Sequence, residues 1–98
     1  MAITEHTVTI GDKDYKIMMS RSAVRRAEQN GLDVQKLDSQ PITQMTNLMA
    51  AALYGGGARL GNDKMEALVD QWFDEVDDLE ELMTLLAGMY AEVFPTRE

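Results

Sequence analysis

The sequence predicts a single, mainly helical α+β domain in which an N-terminal β-hairpin is followed by about four α-helices. Three observations predict this fold class. Two short runs of β-branched or aromatic residues flank a turn near the N-terminus. Apolar residues then recur at steps of three and four over most of the remaining chain. The length of 98 residues suits one domain, residues 1–98, with one modest core.

The β-hairpin is predicted over residues 7–18. Residues 7–10 and 14–18 form its strands, and the Gly-Asp-Lys sequence between them is typical of a turn. An isolated hairpin is only marginally stable in water. We therefore expect this hairpin to pack on the helices or to pair with another strand.

The first helix is predicted over about residues 20–30. Ser20 or Ser22 can cap its start, and Gly31 suits the left-handed residue that follows a helix end. Its apolar face is unusually small and consists of Ala23, Val24 and Ala27. This small face leaves the packing partner of the first helix undefined.

The second helix is predicted over about residues 41–54, with Pro41 in its first turn. A glycine-rich loop, residues 55–61, follows it. The loop lacks the Gly-Lys-Ser/Thr ending of a phosphate-binding loop and does not follow a strand, so we interpret it as a flexible linker. The apolar stripe of the helix consists of Ile42, Met45, Leu48, Met49, Ala52 and Leu53.

Two further helices are predicted over about residues 63–75 and 78–94. Asn62 can cap the third helix, Asp77 with Glu80 resembles a capping box for the fourth, and Pro95 ends the chain's last helix.

A heptad pattern between residues 65 and 93 is compatible with one long helix or a coiled coil instead. Three aspartates near residue 77 disfavour a continuous helix, because aspartate is a poor residue for a helix interior. We therefore favour two helices that are separated near Asp77.

The net charge of −8 is distributed unevenly along the chain. Residues 1–61 have a net charge of +1, whereas residues 62–98 have a net charge of −9. This charge disfavours nucleic acid and anionic membranes as partners. The chain has no cysteine, no signal-peptide pattern and no apolar run of membrane-spanning length, so we expect a soluble, cytoplasmic protein.

Residues suited to catalysis are few. The only histidine, His6, lies in a segment that we expect to fray, and the three serines occupy positions typical of helix caps. The acidic residues lack the glycine spacing of a calcium-binding EF-hand loop. We therefore expect no enzymatic activity, no cofactor and no metal site.

Two sets of charged residues form the candidate interaction site. The basic set lies on the first helix, and the acidic set surrounds the break between the third and fourth helices. The helix dipole favours acids at the start of the fourth helix but disfavours those at the end of the third. A solvated surface is the simplest interpretation, and the functional hypothesis is that the two sets meet in another copy or in a partner. These residues are Arg21, Arg25, Arg26, Asp74, Glu75, Asp77 and Asp78.

Eight methionines are a high count for a chain of this length. Most lie on the apolar stripes, so filling the core is the favoured interpretation. An adaptable binding surface for helical ligands is the alternative.

The order of elements resembles that of the small tail assembly chaperones of long-tailed bacteriophages and prophages. Four features contribute to this resemblance: the hairpin, a small helix ending in Glu-Gln-Asn-Gly at residues 28–31, the stripe of residues 42–54 and the acidic helical pair of residues 62–94.

The resemblance implies a non-enzymatic, self-associating protein of the infected bacterial cytoplasm that is absent from the mature virion. Such chaperones bind the long, largely helical tape measure protein, keep it soluble and recruit tail tube subunits. The family often has a longer form made by translational frameshifting, and this chain would be the short form.

An acidic inhibitor that mimics DNA is the alternative function. It would occupy the nucleic-acid-binding surface of a basic partner and would act as a monomer. The chaperone hypothesis predicts self-association and a helical client instead.

Overall fold

The structure, a computed structural model, describes residues 5–93 and confirms the predicted fold class. An antiparallel β-hairpin precedes four α-helices, and a short 3-10 turn (Val34–Lys36) lies in the connection between the first two helices. The predicted last helical residue, Phe94, and the predicted helix-ending residue, Pro95, lie outside the described residues. The elements are β1 (Glu5–Ile10), β2 (Lys13–Met18), α1 (Arg21–Gln29), α2 (Pro41–Gly55), α3 (Asn62–Glu75) and α4 (Leu79–Val93).

The hairpin begins two residues earlier than predicted, so His6 lies in β1 opposite Ile17. Alternate residues point to opposite faces of a strand, and the face that includes Val8, Ile10 and Ile17 packs against the helical core. The hairpin thus packs on the helices, which is one of the two arrangements that the sequence analysis expects.

Helix α2 lies at the centre of the domain and contacts β2, α1, α3 and α4. Most of its buried residues are the predicted apolar stripe, including the fully buried Met49 and Leu53. Ile42 is the exception, because it is an exposed residue at the start of the helix. Met45 and Met89 are also buried, which confirms core filling as the role of several methionines.

The connection after α1 is held against α2 by a buried amide. The side chain of Gln44 is almost fully buried, and its Oε1 accepts a hydrogen bond of 2.7 Å from the backbone N–H of Asp33. Its Nε2 donates to Oε1 of Gln40 at 3.2 Å. Both polar atoms of the buried amide therefore have partners, and the connection after α1 is fixed to the first turn of α2.

The ends of α1 agree with the sequence prediction. The hydroxyl of Ser20 accepts a hydrogen bond from the N–H of Ala23 at 3.1 Å, which identifies Ser20 as the N-cap. Gly31 has a φ of 113°, and the N–H of Leu32 donates to the carbonyl of Ala27 at 2.9 Å. Gly31 therefore ends the helix through the predicted left-handed conformation.

Helices α3 and α4 are separate, as predicted, but their caps differ from the prediction. Gly61 occupies the N-cap of α3, and Asn62 is the first helical residue. At α4, Oδ1 of Asp78 accepts a hydrogen bond from the N–H of Glu81 at 3.0 Å. The predicted pair Asp77 and Glu80 is therefore wrong by one residue, because Val76 continues the chain in an extended conformation and moves the cap forward.

The glycines that end α2 lie directly against β2. A methyl group on Gly55 would overlap the carbonyl oxygen of Met18, and one on Gly56 would overlap the carbonyl oxygen of Lys16. Close packing against a backbone requires these two glycines. The predicted start of the flexible loop at residue 55 is therefore wrong, because Gly55 belongs to α2 and Gly56 is packed beside it. The flexibility of the remainder of the loop stays a prediction.

Candidate functional site

The structure separates the three candidate arginines. Nε of Arg21 donates to the carbonyl of Val93 at 3.4 Å, so Arg21 lies near the C-terminal carbonyls of α4, where the helix dipole favours a cation. The guanidinium of Arg26 lies over the ring of Tyr54, 4.7 Å from its centroid. Arg25 is exposed, and its side chain has no hydrogen bond or ion pair with another residue of the described range 5–93.

The four candidate acids are separated in the same way. Glu75 and Asp78 have partners within the chain, whereas Asp74 and Asp77 are exposed and lack them within residues 5–93. Asp78 is the cap of α4. In this part of the chain, no ion pair joins the three arginines to the four acids.

Glu75 connects α3 to the turn of the hairpin. Its Oε1 accepts a hydrogen bond from the N–H of Gly11 at 2.8 Å, and its Oε2 accepts one from Nε2 of Gln71 at 3.0 Å. The hydrogen bond from Gly11, followed by that from Gln71, lowers the pKa of the Glu75 carboxyl below its ordinary value. Glu75 thus has a structural role that offsets its unfavourable position at the end of α3.

A groove of about 340 Å³ lies between α1, α2 and α3. Its floor is formed by small or flexible apolar side chains from all three helices: Ala23, Ala27, Ala50, Ala51, Met65 and Val69. The small face of α1, which the sequence analysis leaves without a partner, contributes two of these alanines. Short side chains on both α1 and α2 leave space that larger residues would fill.

The two walls of the groove have opposite charges. Arg26 on α1 lies on one wall, and Glu66 and Asp70 on α3 lie on the other. No ion pair crosses the groove between these three described residues. Three asparagines, Thr46 and Tyr54 complete the lining. The groove is therefore an apolar surface with a cationic side, an anionic side and polar amides.

Tyr54 positions a second cation beside the groove. The guanidinium of Arg59 lies 4.0 Å from the centroid of the Tyr54 ring, and Nη1 of Arg59 donates to the Tyr54 carbonyl at 2.6 Å. A tyrosine ring attracts cations through the negative potential of its face. Tyr54 thus holds Arg26 and Arg59 near one another at the C-terminal end of α2.

Sequence reasoning selected Arg26 but missed Tyr54, Glu66 and Asp70 as parts of one site. Glu66 and Asp70 belong to the acidic segment, but their four-residue spacing alone does not show which helix they face. The small apolar face of α1 was the available signal, since a helix with little apolar volume leaves space beside it.

A metal centre and a membrane-spanning helix are not found among residues 5–93. No group of three or more metal-binding side chains is close enough to hold a metal ion there. No helix in the same range combines the length and the apolar character that crossing a membrane requires.

The fold and the groove define a small α+β domain with a surface groove of mixed charge. The chain belongs to the family described as domain of unknown function DUF5055, whose model matches residues 1–96. No curated protein and no solved structure matches the chain.

Proposed function

We propose that this protein is a tail assembly chaperone of a long-tailed bacteriophage or prophage. It binds the tape measure protein, keeps it soluble and helps to recruit tail tube protein subunits. It self-associates, acts in the cytoplasm of the bacterial host without catalysis and is absent from the mature virion. The order of elements that underlies the resemblance supports this proposal.

The groove is the observation on which the proposal depends most. Helix-binding proteins commonly receive the apolar face of a client helix in a groove, with charged residues at its margins. Here an apolar floor lies between a cationic wall at Arg26 and an anionic wall at Glu66 and Asp70. A client helix with apolar residues on one face and basic residues beside them would match the anionic wall.

The positions of the nucleophilic side chains support a binding function over an enzymatic one. His6 lies in β1 opposite Ile17, and the hydroxyl of Ser20 caps α1. The hydroxyl of Ser39 bonds to the carbonyl of Lys36 at 3.4 Å. These serines therefore contact backbone groups or, for Ser20, also Ser22, rather than a histidine.

Co-expression with the tape measure protein of the same genome tests the proposal. We expect the soluble fraction of the tape measure protein to rise when this chain is present and both proteins to co-purify. An unchanged soluble fraction, together with no co-purification, would exclude the chaperone function.

A charge-reversed pair of variants identifies the surface. Glu66→Lys with Asp70→Lys should lower affinity for the tape measure protein by roughly 10- to 100-fold, because close charge complementarity at an interface contributes this much. Asp74→Lys with Asp77→Lys makes the same charge change at exposed positions that do not line the groove, and it is the matched control. Equal losses in both variants would show that net charge, not the groove, determines binding.

The acidic inhibitor remains a second candidate because α3 exposes a continuous acidic stripe. Asp63, Glu66, Asp70 and Asp74 are exposed and follow each other at steps of three and four residues, so they share one side of the helix. A DNA mimic would bind a basic DNA-binding protein with a steep dependence on salt. For that function, Asp74→Lys should weaken binding as much as Glu66→Lys does.

A further inference from the structure

The two edges of the hairpin differ in what covers them. In a hairpin with a two-residue turn, the residues next to the turn exchange hydrogen bonds, and every second residue does the same. Ile10, Val8 and His6 therefore bond to β2, whereas the N–H and C=O groups of residues 5, 7 and 9 point away from it. On β2, the groups of residues 14, 16 and 18 point outward.

The outer edge of β2 is closed by α2. The carbonyl oxygens of Lys16 and Met18 lie so close to Gly56 and Gly55 that no side chain fits between them. Another strand cannot approach β2 along this edge without displacing the end of α2. Addition of a strand to the sheet is therefore restricted to β1.

The outer edge of β1 is open within the described part of the chain. Glu5, Thr7 and Thr9 are exposed, and their backbone N–H and C=O groups bond to no other residue between 5 and 93. Exposed edges are usually protected by proline, lysine, glycine bulges or a covering element. β1 (EHTVTI) contains no proline, lysine or glycine, and its only acid, Glu5, lies at the start of the strand.

We propose that β1 pairs with β1 of a second copy of this chain, in an antiparallel arrangement about a two-fold axis at Thr7. In this register, Thr7 lies opposite Thr7 of the second copy, and Glu5 lies opposite Thr9. All three outward residues of each copy are then paired, and the two hairpins form one four-stranded sheet.

The chemistry of β1 favours a second copy over another occupant. Glu5 is the only acid in the strand and never lies opposite itself in this register, so like charges do not meet. Residues on the inner face meet residues on the inner face, because the pairing joins odd positions to odd and even to even. The pairing also extends the two-stranded sheet, which packs on the helices of its own copy, to four strands.

The pairing produces a closed dimer. Because α2 covers both outer edges of the resulting sheet, no third copy can add by the same contact. This differs from the head-to-tail contact between the arginines and the acids, which would build rings or open helices. The inference rests on the self-association in the proposed function but not on the identity of the client.

Light scattering of the full chain over a range of concentrations, with two Thr7 variants, tests the pairing. The chain should have twice its mass of 11.0 kDa at high concentration. Thr7→Pro removes the outward N–H without removing a bond to β2. Because two hydrogen bonds across the axis are then lost, the dimer dissociation constant should rise by roughly 10- to 100-fold. Thr7→Val keeps the N–H and should dimerise normally. Arg25→Glu should also leave the dimer unchanged.

Amide hydrogen exchange of the unmodified chain supplies a second measurement that does not depend on how a variant folds. The amides of Thr7 and Thr9 should become protected as the concentration rises, whereas that of Val8 should be protected throughout.

A monomer at all concentrations, or a dimer in which the amides of Thr7 and Thr9 exchange freely, would overturn the inference. Protection of these amides only when the tape measure protein is added would also overturn it, because the edge would then bind the client. Client solubility is measured separately, so loss of the dimer with retained chaperone activity would overturn the pairing alone.

Discussion

On the hairpin side of the domain, glycines contact the backbone of β2 and a carboxylate contacts the backbone of the hairpin turn, whereas on the groove side alanines and carboxylates face an open surface. Gly55 and Gly56 pack on β2, and Glu75 accepts a hydrogen bond from Gly11. Across the groove, Glu66 and Asp70 have no such partner among the described residues. Small or acidic residues therefore stabilise the fold on one side and leave a surface available for binding on the other. Substitutions should accordingly reduce stability on the hairpin side and binding on the groove side.

The largest loss of stability is expected for Gly56→Ala. The added methyl group would overlap the Lys16 carbonyl, so either β2 or the end of α2 must move. We expect the free energy of unfolding to fall by about 2–4 kcal/mol, at the upper end of what overpacking costs. Urea denaturation followed by the fluorescence of the buried Trp72 measures this loss.

Gly88→Ala is the matched control for Gly56→Ala. Gly88 is exposed within α4, and nothing lies within 4 Å of the added methyl group. It should stabilise the protein by about 0.5–1 kcal/mol through helix propensity. A similar loss in both variants would show that α2 does not pack closely on β2.

A smaller loss is expected for Asp78→Ala, which removes the cap of α4. The free energy of unfolding should fall by about 1 kcal/mol, since the N–H of Glu81 loses its acceptor. Asp77→Ala removes the same charge one residue earlier and should have little effect. A larger loss of stability for Asp77→Ala than for Asp78→Ala would identify Asp77 as the cap.

The Glu75 contact should depend on pH. Folding lowers the pKa of Glu75 below its ordinary value of 4.5, so the folded state favours the charged form. Its contribution to stability is therefore complete above the pKa of the unfolded chain and is lost as the pH falls through the lower pKa of the folded state. Glu75→Gln should lower the urea midpoint at neutral pH. The further fall of the midpoint below about pH 4.5 should be smaller in this variant than in the unmodified chain.

Asp74→Asn is the control for Glu75→Gln, because it neutralises the neighbouring exposed acid, whose carboxylate lacks a hydrogen bond within residues 5–93. It should leave the acid dependence of stability unchanged. If Asp74→Asn removed as much of the acid dependence as Glu75→Gln, the hydrogen bond to Gly11 would not be its cause.

The smallest change in stability is expected on the groove side. Ala50→Leu places a larger side chain at the half-buried floor of the groove. It should change the free energy of unfolding by no more than about 0.5 kcal/mol, because the added atoms enter the open groove rather than the core. It should nevertheless abolish co-purification of the tape measure protein. Ala67→Leu makes the same change on an exposed part of α3 outside the groove and should retain the client. Retention of the client by Ala50→Leu would exclude the groove as its binding site.

The candidate site was predictable only in part. Arg26 was selected from the sequence and does line the groove, but its partners in the site were not. Arg21 and Glu75 were selected because each lies at the end of its helix where the helix dipole is not a favourable partner for its charge. Each finds one elsewhere in the fold, at the end of α4 and at the hairpin turn. An unexplained charge can therefore indicate a tertiary contact within the chain as readily as a contact with a partner.

The sequence by itself determined the fold class and the left-handed ending at Gly31, and it limited the cap of α1 to Ser20 or Ser22. These features depend on residues within a few positions of each other, so local periodicity and capping preferences specify them. Only the tertiary structure decided the close packing of Gly55 and Gly56, the role of Glu75 and the lining of the groove. Gly11 and Glu75 are 64 residues apart, and their contact depends on how α3 lies against the hairpin. That placement follows from packing of the whole core around α2, which no local pattern in the sequence specifies.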